Sequence, residues 1–208
     1  MTEKKEESME LEMKADALVG KGMKLMRNCP EHEDLVDALA CFDEAARLGD
    51  PYAEYYAGTM YMDGIGTEPD YEKGISLVRK AAENGYINAQ YEYGYRRYVN
   101  NTDDDFQEDS EAFEWMEKAA RQGHCDAQYH CGMMYLNGEG KEADEEKANV
   151  WMKRAAANGH GRAKANLDYL DSVKVGTEES LDRDCNMYPR ARNHWRDLCF
   201  PTASKIKG

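Results

Sequence analysis

Alanine and glycine recur along this chain with a fixed period, and this period constrains the fold more than any other feature. Ala-Ala pairs begin at Ala45, Ala81, Ala119 and Ala155, at intervals of 36, 38 and 36 residues. Each pair is followed by a glycine and then by a further alanine, here called the repeat alanine. The glycines are Gly49, Gly85, Gly123 and Gly159, and the repeat alanines are Ala53, Ala89, Ala127 and Ala163. A period of this length is typical of architectures that repeat one supersecondary motif.

Each period has the composition of two helices joined by a tight turn. The first helix carries small residues at helical spacing, as at Ala53, Ala57 and Gly58. The turn is rich in Gly, Asn and Asp, and the second helix has an apolar stripe that includes Ile75 and Val78. Because one such unit cannot bury its apolar face alone, neighbouring units must stack. The sequence therefore predicts an all-α fold, an α/α solenoid of helix-turn-helix repeats.

The pattern predicts four units and a terminal helix. The units span 15–50, 51–86, 87–124 and 125–160, and a capping helix spans 161–174. In that helix Asp168 and Asp171 replace the glycine and tyrosine of earlier units, which suits an outer face that meets water. Residues 1–14 form an acidic N-terminal lead, and residues 175–208 form a basic C-terminal tail that contains aromatic residues.

Two segments resemble a known repeat family. They are AEYYAGTMYMDGIG and AQYHCGMMYLNGEG, each followed by a helix that ends in K-A-A-x-x-G or R-A-A-x-x-G. These motifs resemble the Sel-one-like repeat, a relative of the tetratricopeptide repeat. The chain departs from the pattern at Lys21 and Arg97, which occupy normally apolar positions. The resemblance implies a right-handed α/α superhelix that acts as a scaffold or adaptor and has no catalytic residues.

The resemblance also implies that the first helix of each unit lines a concave face. Tyr supplies rigid contact area with a polar tip, and Met adapts to irregular shapes. We therefore expect a peptide or helix groove on that face. An alternative remains open for Tyr55, Tyr91 and Tyr129, because a tyrosine repeated at one position can instead pack between helices. The predicted partner-binding residues are Tyr52, Tyr55, Met62, Tyr91, Tyr95, Tyr98, Tyr129 and Met133.

The charge balance bears on the class of partner. The chain has 27 Lys and Arg against 41 Asp and Glu, a formal net charge of −14. This argues against nucleic-acid binding through a general basic surface. We expect the partner to be another protein or a peptide, and a basic partner would be attracted most strongly. The tail is the exception, with six basic and two acidic residues from position 183 onward. It either folds back onto the solenoid or forms a separate interaction motif.

Several other classes lack their sequence signatures. No apolar stretch approaches the roughly 20 residues that span a bilayer, and the N-terminus lacks the apolar core of a signal peptide. We expect a cytoplasmic protein that does not bind membranes. No C-x-x-C pair occurs among the six cysteines. His124, Cys125, His130 and Cys131 form a His/Cys cluster, but its spacing does not place both histidines on one helical face. No metal or cofactor is therefore predicted.

Motifs of nucleophilic, metallopeptidase and phosphate-loop enzymes are also missing from the sequence. The leading prediction is a non-enzymatic scaffold or adaptor that binds a peptide or helix in a concave groove rich in Tyr and Met. One alternative is an immunity or inhibitor protein that neutralises a basic toxin or enzyme. A second is an enzyme of the β-lactam-hydrolase type, which the resemblance allows because secreted relatives have been linked to that chemistry.

Overall fold

The computed structural model of the chain describes residues 2–27, 30–101 and 106–174. Within these ranges the chain forms helices and no strand, so the predicted all-α fold is confirmed. The two hypotheses about the tail concern residues 175–208, which lie outside the described ranges. The described helices are α1 (Thr2–Leu25), α2 (His32–Arg47), α3 (Pro51–Asp63), α4 (Tyr71–Glu83), α5 (Ile87–Asn100), α6 (Phe106–Arg121), α7 (Cys125–Asn137), α8 (Glu145–Ala157) and α9 (Gly161–Lys174).

Each helix packs against the next one in the chain, from α1 on α2 to α8 on α9. The odd-numbered helices are the first helices of successive repeats, and the even-numbered ones are the second helices. This alternating stack is the predicted α/α solenoid. Its core consists of alanine, methionine and aromatic side chains between helices, among them the fully buried Phe42, Phe113 and Met116.

The two helices of a repeat approach closely at a glycine. A Cβ atom added to Gly58 of α3 would lie 2.8 Å from the Gly74 carbonyl oxygen of α4 and 2.8 Å from Val78 Cγ2. A Cβ atom added to Gly94 of α5 would likewise lie 2.8 Å from the Ala112 carbonyl oxygen of α6. Because backbone stands where a side chain would go, only glycine permits this spacing between helices.

Turn glycines fix the contact between successive repeats. Gly66 and Gly140 lie in the turns after α3 and α7, with φ angles of 71° and 64°. A Cβ at Gly66 would collide with the Leu35 carbonyl of the preceding second helix, and one at Gly140 would collide with the Asp109 carbonyl. Positive φ and backbone contact together explain why these turns carry glycine. Each turn therefore packs on the repeat before it.

A buried polar side chain links the helices in the second, third and fourth repeats, at the position directly after the repeat alanine. Gln128 donates through Nε2 to the Ala120 carbonyl (3.0 Å), and its Oε1 accepts from Asn158 Nδ2 (2.9 Å). Gln90 makes the same two kinds of contact one repeat earlier. Each glutamine thus connects its first helix to the second helix before it and to the one after it.

Glu54 occupies this linking position in α3 and is fully buried. Its carboxylate accepts from Asn84 Nδ2 at 3.1 Å and pairs with Lys80 Nζ at 2.6 Å. A buried carboxylate needs such a partner, because an unpaired charge in the interior is strongly destabilising. Lys80 therefore compensates for a charge that is absent from the next two repeats, which have Gln90 and Gln128 at this position.

The register of α1 differs from the expected one. Ala17 is the predicted repeat alanine of the first unit, yet it is exposed, whereas Ala15 is buried. No described helix packs on the α1 face that holds Ala17 and Lys21, although the same face of α3, α5 and α7 packs on a preceding second helix. Gly22 allows α1 and α2 to approach closely, as Gly58 does for α3 and α4, since a Cβ atom added to it would lie 2.9 Å from Phe42 Cζ.

The close approach at Gly58 leads to a prediction of opposite signs for two glycine substitutions. Gly58→Ala adds a methyl group where backbone already stands, so overpacking of about 1–3 kcal/mol exceeds the helix propensity gained. We expect a loss of about 1–2 kcal/mol in the free energy of unfolding in urea. Gly20→Ala is the matched control, because Gly20 also lies within a helix but has nothing within 4 Å of its added Cβ. It should stabilise by about 0.5–1 kcal/mol. Equal effects would contradict the packing argument.

The Glu54–Lys80 pair leads to a second prediction. Lys80→Met keeps most of the aliphatic stem but leaves the Glu54 carboxylate without its cation. We expect the free energy of unfolding to fall by about 2 kcal/mol, less than the roughly 3–5 kcal/mol for fully buried pairs, because Lys80 is half exposed. Adding Glu54→Gln, which installs the residue type of the next two repeats, should restore most of the loss. A double variant no more stable than Lys80→Met alone would show that the pair is not the cause.

Candidate partner-binding groove

Aromatic rings pair in the same way at three successive repeat boundaries. In each pair, the tyrosine two residues after a repeat alanine contacts the residue just before the next first helix. This aromatic ladder consists of Tyr55 with Tyr86, Tyr91 with His124, and Tyr129 with His160, at ring-centroid distances of 5.3, 4.5 and 4.3 Å. The two histidine pairs are stacked, with interplanar angles of 23° and 16°. The ladder is thus a direct product of the repeat period.

The ladder histidines also cap helices. His124 Nδ1 accepts from the backbone N–H of Ala127 at 3.2 Å, and His160 Nδ1 accepts from that of Ala163 at 3.1 Å. Asp50 makes the equivalent bond before α3, at 2.7 Å from the Ala53 nitrogen. A ring nitrogen that accepts a hydrogen bond carries no proton, so these histidines are neutral and hold their proton on Nε2. In His160 that Nε2 lies 3.3 Å from Asp126 Oδ1.

A cavity of about 540 Å³ opens along the C-terminal part of the ladder. It is formed by α5, α7 and the start of α9, so it crosses three successive first helices. His130 lies between the rings of its lining, with centroids 5.2 Å from Tyr95, 5.9 Å from Tyr91 and 5.5 Å from Tyr129. We call this cavity the aromatic groove. Its side-chain lining includes Tyr91, Tyr95, Asp126, Tyr129, His130, His160 and Arg162.

Burial keeps the rings of the groove uncharged. Desolvation lowers the pKa of His130 to about 4, and it also lowers the pKa values of His124 and His160. Burial, assisted by the negative charge of Asp126, raises the pKa of Tyr91. At neutral pH the groove therefore presents neutral aromatic surfaces, with one carboxylate from Asp126 and one guanidinium from Arg162.

A second aromatic cluster lies one repeat earlier. The Tyr52 ring is 4.4 Å from the Tyr56 ring and 5.7 Å from the Tyr86 ring. Tyr52 also donates its hydroxyl to Met23 Sδ at 3.3 Å, and burial raises the pKa of Tyr55 to about 12. This cluster continues the line of aromatic side chains toward the first repeat.

The structure distributes the predicted binding residues over three environments. Tyr91, Tyr95 and Tyr129 line the aromatic groove, where Tyr129 forms a floor that is only 2% exposed. Tyr52 and Tyr55 belong to the earlier aromatic cluster. Tyr98 is partly buried and donates its hydroxyl to Glu139 Oε2 at 2.7 Å.

Met62 and Met133 require a correction. Both are buried, 8% and 6% exposed, and each is part of a core cluster between helices. Their positions on the first helix turn them toward the neighbouring helices rather than toward the groove. These two methionines therefore belong to the core, and the groove is lined by tyrosine and histidine instead of tyrosine and methionine.

The predicted binding residues omit Tyr86, His124 and His160, which complete the aromatic ladder; of these, His160 also lines the groove. The signal was available, because all three stand three residues before a repeat alanine. The predicted binding residues also omit Asp126 and His130, although Asp126 lies on the first helix of its unit, one residue before the repeat alanine. Their positions vary in residue type between the repeats: Asp126 shares its type only with Asp16, and His130 shares its type with none of its equivalents, so a repeated residue does not mark either position.

The described residues show neither a metal centre nor a membrane span. No three His, Cys, Asp or Glu side chains in the described ranges are grouped so that they could hold a metal ion. None of the described helices combines the length and the apolar character needed to cross a bilayer. Cys41, Cys125 and Cys131 carry free thiols.

Comparison with known sequences identifies the repeats. The sequence model of the Sel1 repeat matches residues 30–50, 51–86, 87–124 and 125–160. This chain belongs to the Sel1 repeat family. The match begins after α1, the helix whose register differs from the others. No curated protein gives a significant match to this Sel1 repeat protein.

Solved structures with the same repeat support the assignment. A Sel1 repeat protein from Oxalobacter formigenes is 32% identical, with a TM-score of 0.57, over 62% of this chain and 96% of its own. The protective antigen c5321 of uropathogenic Escherichia coli, which displays an SLR fold, is 28% identical over 92% of this chain, with a TM-score of 0.69. This chain covers 42% of c5321. Immunity protein Pa5087 from Pseudomonas aeruginosa is 18% identical with a TM-score of 0.41, too distant to support an argument about function.

The neutral histidines lead to a prediction for stability at acidic pH. The pKa of His130 falls from its ordinary value of 6.5 to about 4 in the folded protein. Between these pH values the unfolded chain binds more protons at His130 than the folded chain does. The free energy of unfolding therefore suffers no loss from His130 above about pH 6.5, and it decreases as the pH falls toward 4. We expect His130→Gln to remove up to about 3 kcal/mol of that decrease, at about 1.4 kcal/mol for each unit.

The measurement is urea unfolding of the wild type and of His130→Gln between about pH 7.5 and 4. Carboxylates titrate in both proteins over part of this range, so the difference between the two curves isolates His130. Parallel curves would contradict a neutral, buried His130.

Proposed function

We propose that this Sel1 repeat protein is a non-enzymatic scaffold or adaptor that binds a short segment of another protein in the aromatic groove. Sel1 repeat proteins mediate protein–protein interactions, and members of the family are typically non-catalytic scaffolds. The observation that carries the proposal is the groove itself, because neutral aromatic rings line a cavity that extends over the last two repeats to the start of the capping helix. Aromatic side chains of this kind dominate the energetics of protein interfaces.

The shape of the groove favours a peptide over a small molecule. It extends from α5 across α7 to the start of α9, and the aromatic ladder continues beyond it toward Tyr55 and Tyr86. A row of aromatic rings at repeat spacing offers successive contacts to an extended or helical segment. Tyr95 is well placed for the first of these contacts, since its ring lies at the surface of the cavity beside Tyr91 and His130.

The charge of the chain supports a basic partner. A net charge of −14 creates a negative field that raises the local concentration of basic segments and speeds their encounter. This contribution acts mainly on the association rate and weakens as salt screens it. The aromatic contacts, in contrast, depend little on salt.

The groove leads to a prediction for tyrosine variants. We would select peptides that bind the full chain from a phage-displayed library of random short peptides and measure their affinities by fluorescence anisotropy. Tyr95→Ala should weaken binding of the selected peptides at least about tenfold, because it removes an aromatic contact worth about 1.4 kcal/mol or more. Tyr71→Ala is the control, since Tyr71 is also partly exposed but lies on α4, away from the groove.

Both variants should keep the helical circular dichroism spectrum and a cooperative melt, so that a change in affinity reports on the groove. Equal affinity for Tyr95→Ala and Tyr71→Ala would place the binding surface elsewhere. Failure to select any peptide that depends on Tyr95 would overturn the proposed function.

A further inference from the structure

The aromatic groove contains the elements of a site for a positively charged side chain. The Tyr91 and Tyr95 rings are stacked, with centroids 5.7 Å apart and planes inclined by 23°. The His130 ring closes a third side, 5.2 Å from Tyr95 and 5.9 Å from Tyr91. The faces of such rings carry negative electrostatic potential and attract ammonium and guanidinium groups. The rings therefore favour a cation over an anion.

A carboxylate stands at the same cavity. Asp126 lines it from the first turn of α7, and its side chain is 49% exposed. Its two contacts among the described residues both use Oδ1, with His160 Nε2 at 3.3 Å and Cys125 Sγ at 3.7 Å. Since a carboxylate accepts several hydrogen bonds, Oδ2 remains available to a donor from outside the chain.

The groups that face Asp126 leave it without a full countercharge. His160 is neutral because its Nδ1 accepts the cap hydrogen bond from Ala163, so it contributes only an N–H to the carboxylate. His124 is neutral for the same reason. Arg162 is the one cationic side chain in the described lining, and it is exposed in the first turn of α9. The net charge of −14 adds to the attraction of an incoming cation.

The chain already uses this combination of groups within its own fold. Lys73 Nζ lies 3.5 Å from the centroid of the Tyr61 ring and 4.0 Å from Asp43 Oδ2. The two places share one arrangement, in which a tyrosine ring and an aspartate from a neighbouring helix lie next to the same space. In the cluster these are Tyr61 and Asp43. In the groove the described part of the chain supplies the tyrosines and the aspartate but no lysine between them. A partner's side chain would complete the cluster.

From these observations we infer that the groove has a subsite for one Lys or Arg side chain of the bound segment, with Tyr95 packing on its aliphatic stem and Asp126 pairing with its charge. The inference rests on the proposed function, since it requires that a peptide occupies the groove. It assigns Asp126 as the residue that determines specificity, and it identifies the partner as a segment that carries a basic residue.

The test uses the peptides selected from the random library on the full chain. We expect the Tyr95-dependent peptides to share a Lys or Arg at one position, and replacing that residue by Met should weaken binding about tenfold. Asp126→Asn should weaken the original peptide by a similar factor and have little effect on the Met peptide, because both changes remove the same interaction. Asp126→Glu, which keeps the charge, should retain part of the affinity.

Asp16→Asn is the matched control. Asp16 precedes Ala17 as Asp126 precedes Ala127, and it is exposed on α1 away from the groove. Both variants remove one negative charge, so any difference between them reports on the subsite rather than on the overall field. Thermal melts of the two variants check that each remains folded.

The outcomes separate the two proposals. Peptides that depend on Tyr95 but share no basic position, or that lose equal affinity with Asp16→Asn and Asp126→Asn, would overturn the subsite and leave the groove intact. A shared acidic position that is lost with Arg162→Gln would also overturn it, since the groove would then recognise an anion. If every selected peptide binds Tyr95→Ala as tightly as the wild type, the proposed function itself is overturned.

Discussion

The close approach of helices at glycine and alanine is the constraint on which the rest of this structure depends. At Gly58 the α3 backbone lies against the Gly74 carbonyl, so the distance between the helices is set by main chain rather than by side chains. A spacing fixed in this way repeats with little variation wherever the small residues repeat. The fully buried repeat alanines, such as Ala53 and Ala127, do the same between one repeat and the next. Regular spacing in turn fixes which residues of successive first helices face each other.

The aromatic ladder follows from that regularity. The residue before α3, α7 and α9 (Asp50, His124 and His160) caps that helix by accepting a hydrogen bond from the backbone N–H of the repeat alanine, and this bond fixes its place. The tyrosine two residues after the previous repeat alanine then lies at stacking distance, as in the contact of Tyr129 with His160. One position therefore serves both to begin a helix and to line the groove. This double role explains why histidine is suitable, since its ring can cap through Nδ1 and stack through its face.

The sequence predicts the architecture well because the architecture depends on residue size. Small residues at a period of 36 to 38 residues admit few structures, and the helices and the family follow from them. The lining of the groove is harder to predict because it depends on the side of the helix toward which each side chain points. Met62 and Met133 lie on the predicted helices, but their side chains turn into the core, and periodicity alone does not distinguish the two sides of a partly apolar helix. Ala17 illustrates a further limit, since its burial requires a neighbouring helix that a local pattern does not reveal.

A comparison of the repeats within this chain shows which positions can change to suit a partner and which must stay constant to keep the helices stacked. The position before the repeat alanine holds Asp16, Tyr52, Asn88, Asp126 and Arg162, whereas the repeat alanine itself is unchanged from Ala53 to Ala163. A change at the alanine would alter the helix spacing and with it every later contact, but a change at the preceding residue alters only the local surface. Charge can therefore enter the groove at one repeat without disturbing the stack. The groove gains its single lining carboxylate among the described residues at Asp126, where stacked tyrosines are already in place. A uniform scaffold can in this way carry a local site with its own chemistry.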